Sequence, residues 1–474
     1  MNYSIANYNW TKYDNIILLT NDLGEYCFLT HSEFSDLSKG CLSEKDEKFD
    51  MLLKLGFIYK NQDKYISDFK DNMANMKSCL LGATNLFIMV LTNACNQRCI
   101  YCQAGQAGQA HTFNMSIEIC KKAINLAVQA PVSHIVIEFQ GGEPTLNPDA
   151  LLFSIPYAKK VFKEHGKHVD FAIVTNITNP DEKLLRFLIE QDVHISTSLD
   201  GNRSVHEYNR PLSYTNKSSY DAWHEGINLY KALFEEYGEK PVISAIQTTT
   251  RKSLAFYKEI INEYVANGID KIYLRPLTPL GCARDNWDII GYSPEEYVDF
   301  YCKSLDYMIE KCKNGEYISE ATASIYLTRI LNKQSVGHTE FRSPCGAAVG
   351  QLAVNYDGNV YTCDEGRMIA NMGDCIFRLG SVDNTYHELL KSPVVHAVCT
   401  SSCVEALPMC SDCVYSPYCS VCPVINYGLY GDLIFKDEHS YKCVISKGIL
   451  NYLFGIIKQD DPEKIAILQK WANS

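Results

Sequence analysis

The run Ala94-Cys95-Asn96-Gln97-Arg98-Cys99-Ile100-Tyr101-Cys102 constrains this chain more than any other feature. Three cysteines at C-x3-C-x2-C spacing follow an apolar, strand-like stretch, Phe87–Leu91. Three thiolates can hold three irons of a [4Fe–4S] cube, because such clusters take one cysteine per iron. The fourth iron is then left open for chemistry. The competing readings are coincidence, a zinc site short of one ligand, and a piece of a disulfide framework. The chain carries 20 Cys in 474 residues, yet residues 1–25 lack the basic and apolar regions of a signal peptide. Cysteine wealth without secretion points to metal or catalysis rather than bridges.

Two further classes are argued against. No run of about 18 apolar residues exists, so no membrane span is expected. The net charge of −12 disfavours nucleic acid, whose phosphates are met by clustered Lys and Arg.

Downstream of the cysteines, strand-like and helical segments alternate. Strands are expected at Leu86–Leu91, His134–Phe139, Val169–Val174, His194–Ser198, Val242–Thr248 and Lys271–Leu274. Helices are expected at Ser116–Ala130 (with Ser116 as N-cap), Asp149–His165, Asp181–Gln191, Tyr220–Tyr237 and Leu254–Asn267. This rhythm specifies a parallel sheet with right-handed crossovers. Active groups in such folds collect at the C-terminal strand ends, and the motif-bearing residues sit there.

The cysteine loop follows the first strand. Gln140-Gly141-Gly142-Glu143-Pro144 follows the second, Thr175-Asn176 the third, and Thr197-Ser198-Leu199-Asp200-Gly201 the fourth, with Arg210 shortly after. With these motifs the chain resembles the radical S-adenosylmethionine (SAM) superfamily, whose core is a partial (β/α)6 barrel. The resemblance implies that Cys95, Cys99 and Cys102 hold the SAM-binding cluster and that Gln140, Gly141, Gly142 and Glu143 form the edge that takes SAM's amino group. It also implies Asn176, Ser198 and Arg210 as SAM contacts, with Tyr101 near the adenine. An Arg fork suits a carboxylate as a bidentate partner.

The C-terminal third is denser in cysteine. Cys345 and Cys363 flank Val354–Tyr361, which reads as a hairpin with an Asp-Gly turn. Cys410, Cys413, Cys419 and Cys422 form C-x2-C-x5-C-x2-C, and Cys443 follows. In isolation that quartet would suit zinc. Together these residues resemble the SPASM domain, which carries two auxiliary [4Fe–4S] clusters in peptide-modifying radical SAM enzymes. By that pattern Cys410, Cys413, Cys419 and Cys443 hold the outer cluster, and Cys345, Cys363 and Cys422 the inner one. The inner cluster is one ligand short: Cys403, Cys375, Cys399 and Cys282 are candidates, and an open iron is the alternative. The resemblance to sulfatase-maturing relatives makes Asp364 a candidate general base. An aspartate hydrogen-bonded to the cluster loop is the other reading.

The expected organisation is an N-terminal α+β domain (1–82), a radical SAM core (83–285), a helical linker (286–340), a SPASM domain (341–445) and a C-terminal helix (446–474). The linker helix starts at Ser293-Pro294-Glu295-Glu296, an N-cap with Pro in the first turn. The N-terminal unit is expected as two strands (15–20 and 25–30) and two helices, acting as a peptide-docking domain or as a lid. Ile137–Leu146 (IEFQGGEPTL), Ser196–Gly201 (STSLDG), Asn355–Met368 (NYDGNVYTCDEGRM) and the LLTND and FLTHSEF segments are similar to maturases of the His-Xaa-Ser peptide system.

The expected activity is reductive SAM cleavage and radical modification of a peptide or protein, by a carbon–carbon, carbon–oxygen or thioether cross-link. Formylglycine formation in a sulfatase and a non-catalytic iron–sulfur or zinc scaffold are the alternatives. The expected partners are a peptide or protein substrate and an electron donor such as flavodoxin or ferredoxin, in an anoxic cytoplasm.

Overall fold

The computed structural model describes residues 3–104, 113–213, 215–238, 241–334, 337–435 and 439–474. At the N-terminus, β1 (Ser4–Ile5) precedes an antiparallel sheet of β2 (Asn9–Tyr13), β3 (Ile16–Thr20) and β4 (Tyr26–Thr30). Thr30 caps the helix His31–Ser38 through a capping box with Glu33. After the helix Glu47–Lys54, β5 (Ile58–Tyr59) pairs back with β1, and the helix Gln62–Met76 follows. Ile17, Leu19, Leu29, Leu37, Phe49, Leu52 and Phe57 close a small core of their own. The strand β2 was missed in the sequence because Asn9–Tyr13 mixes polar and aromatic residues without clean alternation.

The central sheet begins with β6 (Leu86–Thr92), β7 (His134–Gly141), β8 (His168–Thr175), β9 (Val193–Ser198), β10 (Ser244–Thr248) and β11 (Lys271–Arg275). All six are parallel and lie in sequence order, as the alternation predicts. On the helix-covered face, Ile135, Ile137, Phe139, Phe171, Ile173 and Ile195 join residues such as Ile124, Leu151, Phe162 and Leu188 in one buried core. The helix Ile117–Ala127 starts at Ser116, whose side chain accepts from Ile119 N. The helix Pro294–Lys313 starts with a Ser293/Glu296 capping box.

The sheet extends further than the sequence indicated. A two-residue strand, β12 (Ser319–Glu320), adds parallel to β11. On the other side, β13 (Gln351–Val354) pairs parallel with β6, and β14 (Asn359–Tyr361) and β15 (Arg378–Ser381) complete ten strands. The expected Asp357-Gly358 turn joins β13 and β14, with Gly358 at φ +83°, where a side chain is disfavoured. What draws this hairpin to the central sheet is apolar burial: Ala353 and Tyr361 cover Ile88 and Val90 on the second face of β6.

The expected C-terminal helix is instead two, Tyr441–Gln459 and Pro462–Ala472. Asp460 adopts a left-handed conformation and Pro462 offers no N–H, so the first helix cannot continue. The N-terminal sheet rests on this end of the molecule. Asn9 Nδ2 donates to the carbonyls of Ser411 and Cys413 at 2.9 and 3.1 Å, and Thr20 Oγ1 to that of Val414 at 2.7 Å. Among the described residues no helix is long and apolar enough to cross a membrane.

Candidate active site

The loop after β6 carries Cys95, Cys99 and Cys102, all half-buried, at the C-terminal end of the parallel strands. They open on a cavity of about 190 Å³ that is also lined by Tyr101, Gln140, Gly141, Gly142, Asn176, Ser198 and Arg210. Seven of the residues singled out after four different strands therefore meet the three cysteines in one place. Burial pushes the Cys99 thiol up to about 12 and raises that of Cys95. Thiolates at such positions need a bound cation to persist. The donor set thus fits an iron–sulfur cluster.

The glycines are required by the approach of two backbones. A Cβ on Gly141 would lie 2.3 Å from the Thr92 carbonyl oxygen, and one on Gly142 2.3 Å from that of Ala94. Their closeness lets Gly142 N and Glu143 N donate to Thr92 O and Ala94 O at 2.7 and 2.8 Å. The glycine pair thereby clamps the cysteine loop onto β7. Glu143 lies outside the cavity lining. Its carboxylate is 1% exposed and accepts from Thr145 N and Oγ1, Thr175 Oγ1 and Asn176 N. The structure places it as a tie between β7 and β8, its acidity weakened by burial.

Asn176 is held by Asn96 and Thr178: its Nδ2 donates to Asn96 Oδ1 at 2.7 Å, and its Oδ1 accepts from Thr178. Arg210 is held by a residue the sequence reading passed over. Asp200, fully buried, pairs with Arg210 at 3.0 Å and accepts from Tyr101 Oη at 2.7 Å and Asn209 Nδ2 at 2.9 Å. Its backbone N–H donates to His206 Nδ1, and burial holds His206 down to about 3, hence neutral and able to accept. The Arg210 guanidinium stacks 5.3 Å from the Tyr101 ring centroid and reaches Cys99 Sγ at 3.8 Å. The signal was available: an acid two residues past a strand end, before a glycine. Gln103 in the cysteine loop, Thr248 and Arg275 at the ends of β10 and β11, and Met368 from the C-terminal region also line the cavity and were not singled out as site residues; the placement of Met368 depends on how the C-terminal region closes over the barrel.

That region gathers its cysteines in two groups. Cys345, Cys363 and Cys422 are buried with Leu280, Ile369, Phe377, Val398 and Val424. Cys410, Cys413, Cys419 and Cys443 surround a separate cavity, reached also by Cys422. Burial pushes Cys410 and Cys422 up to about 12. No three of these cysteines have sulfurs within 4.8 Å of one another. The four candidates for a further inner ligand have other neighbours. Cys282 N donates to Cys102 O, the Cys403 thiol donates to Glu405 with Cys399 beside it, and Cys375 lies next to Tyr361. Asp364 accepts from buried Arg367 at 2.8 Å, and the adjacent Glu365 pairs with Arg275 at 3.4 Å.

A family model described as Radical SAM superfamily matches residues 89–246. The chain carries a radical SAM domain. A cysteine-type anaerobic sulfatase-maturating enzyme of Clostridium perfringens is 23% identical over 333 residues, 66% of this chain and 85% of that one. The radical SAM cyclopropyl synthase TigE of Paramaledivibacter caminithermalis is 23% identical over 454 residues, 91% of this chain and 86% of that one. An uncharacterized protein of Methanocaldococcus jannaschii is 28% identical over 192 residues, covering 40% of this chain and 62% of its own length. The structure of native anSMEcpe with bound AdoMet and the Kp18Cys peptide aligns over 81% of this chain and 99% of that one, at 20% identity and a TM-score of 0.65. The chain thus shares its fold with that protein, and its homologues include enzymes that act on peptides or proteins.

Proposed function

We propose that this radical SAM enzyme cleaves SAM reductively and modifies a ribosomally made peptide or protein by cross-linking its side chains. The observation that supports it most is the convergence of Cys95, Cys99 and Cys102 with Arg210, Asn176 and Ser198 on one cavity. When bound, a [4Fe–4S] cluster with SAM supplies a 5′-deoxyadenosyl radical that takes a hydrogen atom from the substrate. The chain's own part is geometric. Cys95, Cys99 and Cys102 hold the cluster, and Gly141 and Gly142 keep the loop against β7. Asp200 fixes Arg210 to receive a carboxylate, and the apolar cover from Met368 limits water.

Two auxiliary clusters in the C-terminal cysteine groups would then accept the electron left on the substrate. Asp364 is the proposed proton acceptor, oriented by Arg367. A flavodoxin or ferredoxin in an anoxic cytoplasm is the proposed donor. The N-terminal sheet, with its open β2 and β4 edges, is the proposed docking point for an extended peptide.

Formylglycine formation is the second reading, because enzymes of both kinds are relatives of this chain. The cyclopropyl synthase aligns over 91% of this chain, the sulfatase-maturating relative over 66%. The test is anaerobic turnover with SAM and dithionite in the presence of candidate peptides. The expected result is 5′-deoxyadenosine together with a peptide lighter by about two hydrogens per cross-link. Conversion of a sulfatase Cys or Ser to an aldehyde would instead select the second reading.

A further inference from the structure

We propose that His134, His168 and Asp170 form a binding site for one divalent transition-metal ion, zinc by preference, at the base of the barrel. His134 and His168 open β7 and β8 and are direct partners in the parallel register, so both side chains leave the same face of the sheet. Asp170 lies two residues on along β8, on that same face.

Three ligating atoms meet there. The His134 and His168 Nε2 atoms lie 2.7 and 2.8 Å from the two Asp170 carboxylate oxygens, and the ring centroids are 5.2 Å apart. Among the described residues this is the one set of three or more His, Cys, Asp or Glu side chains whose ligating atoms all lie within 4.8 Å of one another. The side chains are 51, 71 and 52% exposed, so an ion arrives from solvent without any opening of the fold.

The donor set defines the ion. Two imidazole nitrogens and one carboxylate oxygen, with no sulfur, suit zinc and its first-row neighbours, and three protein ligands leave room for water. The ion binds each ring through the Nε2 lone pair, so in the bound form the ring proton sits on Nδ1. Zinc bonds of about 2.0–2.1 Å require the N···O separations to widen to roughly 3.3 Å, a small movement for exposed rotamers. The site is separate from the cysteine loop: six residue steps along β7 separate His134 from Gln140, about 20 Å at roughly 3.3 Å per step. An ion there would tie together the starts of two barrel strands.

The experiment uses the full chain with its cysteine sites already loaded with iron. It is dialysed against zinc, analysed for bound metal and examined by zinc X-ray absorption. The expected result is one additional zinc per chain with a purely nitrogen and oxygen shell near 2.0–2.1 Å. That zinc should be absent from a His134→Gln/His168→Gln variant and bound at least about tenfold more weakly by Asp170→Asn. A sulfur shell near 2.3 Å would place the zinc on cysteines and overturn the proposal. So would an additional zinc that persists in the double variant, or none in the wild type. Should the double variant fail to fold, the wild-type absorption shell and Asp170→Asn, which preserves the shape of the side chain, decide the matter.

Discussion

The cysteine loop after β6 and the inner C-terminal cysteine group are built to opposite plans. Cys95, Cys99 and Cys102 are half-buried and face a polar-edged cavity with an arginine, an asparagine and a serine on its wall. Cys345, Cys363 and Cys422 are buried among Leu280, Ile369, Phe377 and Val424. An open site admits a ligand to the metal, whereas an apolar enclosure shields it from solvent and tunes its potential. The difference teaches that the two sites meet their surroundings differently. The first is open to a small molecule, and the second is closed off from solvent by apolar side chains.

The strongest way to break the comparison is to delete the open site. A Cys95→Ala/Cys99→Ala/Cys102→Ala variant should lose 5′-deoxyadenosine formation entirely and about four irons per chain, keeping the C-terminal iron. Anaerobic iron analysis checks this, and loss of all the iron would show that the regions are not independent.

Next in size is Asp200→Ala. It leaves the Arg210 guanidinium buried without its carboxylate, which costs about 3–5 kcal/mol, and it releases Tyr101 and Arg210 from their places. Nucleoside formation should fall at least about 100-fold, the scale of a misplacement of about 1 Å. Chemical denaturation and single-turnover assays measure the two effects separately.

Phe377→Ala strikes the enclosed region instead. Phe377 is 1% exposed and packs edge-on against Tyr427 at 5.5 Å. The cavity should cost about 3–5 kcal/mol and loosen Cys363. SAM cleavage should continue while peptide product falls, so the ratio of nucleoside to product rises.

Much of the open site was legible in the sequence because it is local. The cysteine spacing, the Gly-Gly pair and Ser198 each sit at the end of a strand whose apolar run marks it. The six parallel strands were legible for the same reason, since each is a short apolar run bounded by turns. What was not legible depends on contacts between distant segments. Asp200 gains its meaning from Arg210, Tyr101 and His206 arriving around it. The hairpin of β13 and β14 was readable, but its seat beside β6 depended on Ile88 and Val90 lacking a cover. Glu143 belongs to a motif that marks the cavity, yet its own carboxylate is taken by four protein donors, which no motif states.

The smallest expected effect sharpens the comparison by leaving both regions alone. Glu320, on β12, is fully buried, and burial pushes its carboxyl up to about 7. Because the folded-state value lies above the ordinary 4.5 of a glutamate, folding favours the protonated form. Stability is therefore greatest below about pH 4.5 and is lost as pH rises through 7. Glu320→Gln removes that loss, so its stability relative to wild type should grow by up to about 3 kcal/mol between pH 4.5 and 8. Denaturation across that range checks it, and neither iron content nor nucleoside formation should change.

The central claim, that SAM binds at the open cysteine site and not at the enclosed ones, is tested most directly by electron paramagnetic resonance of the dithionite-reduced, iron-loaded protein with and without SAM. The account predicts that SAM alters one cluster signal in wild type, and that this signal is missing from the Cys95→Ala/Cys99→Ala/Cys102→Ala variant while the remaining signals ignore SAM. A SAM-induced change that survives in that variant would contradict it.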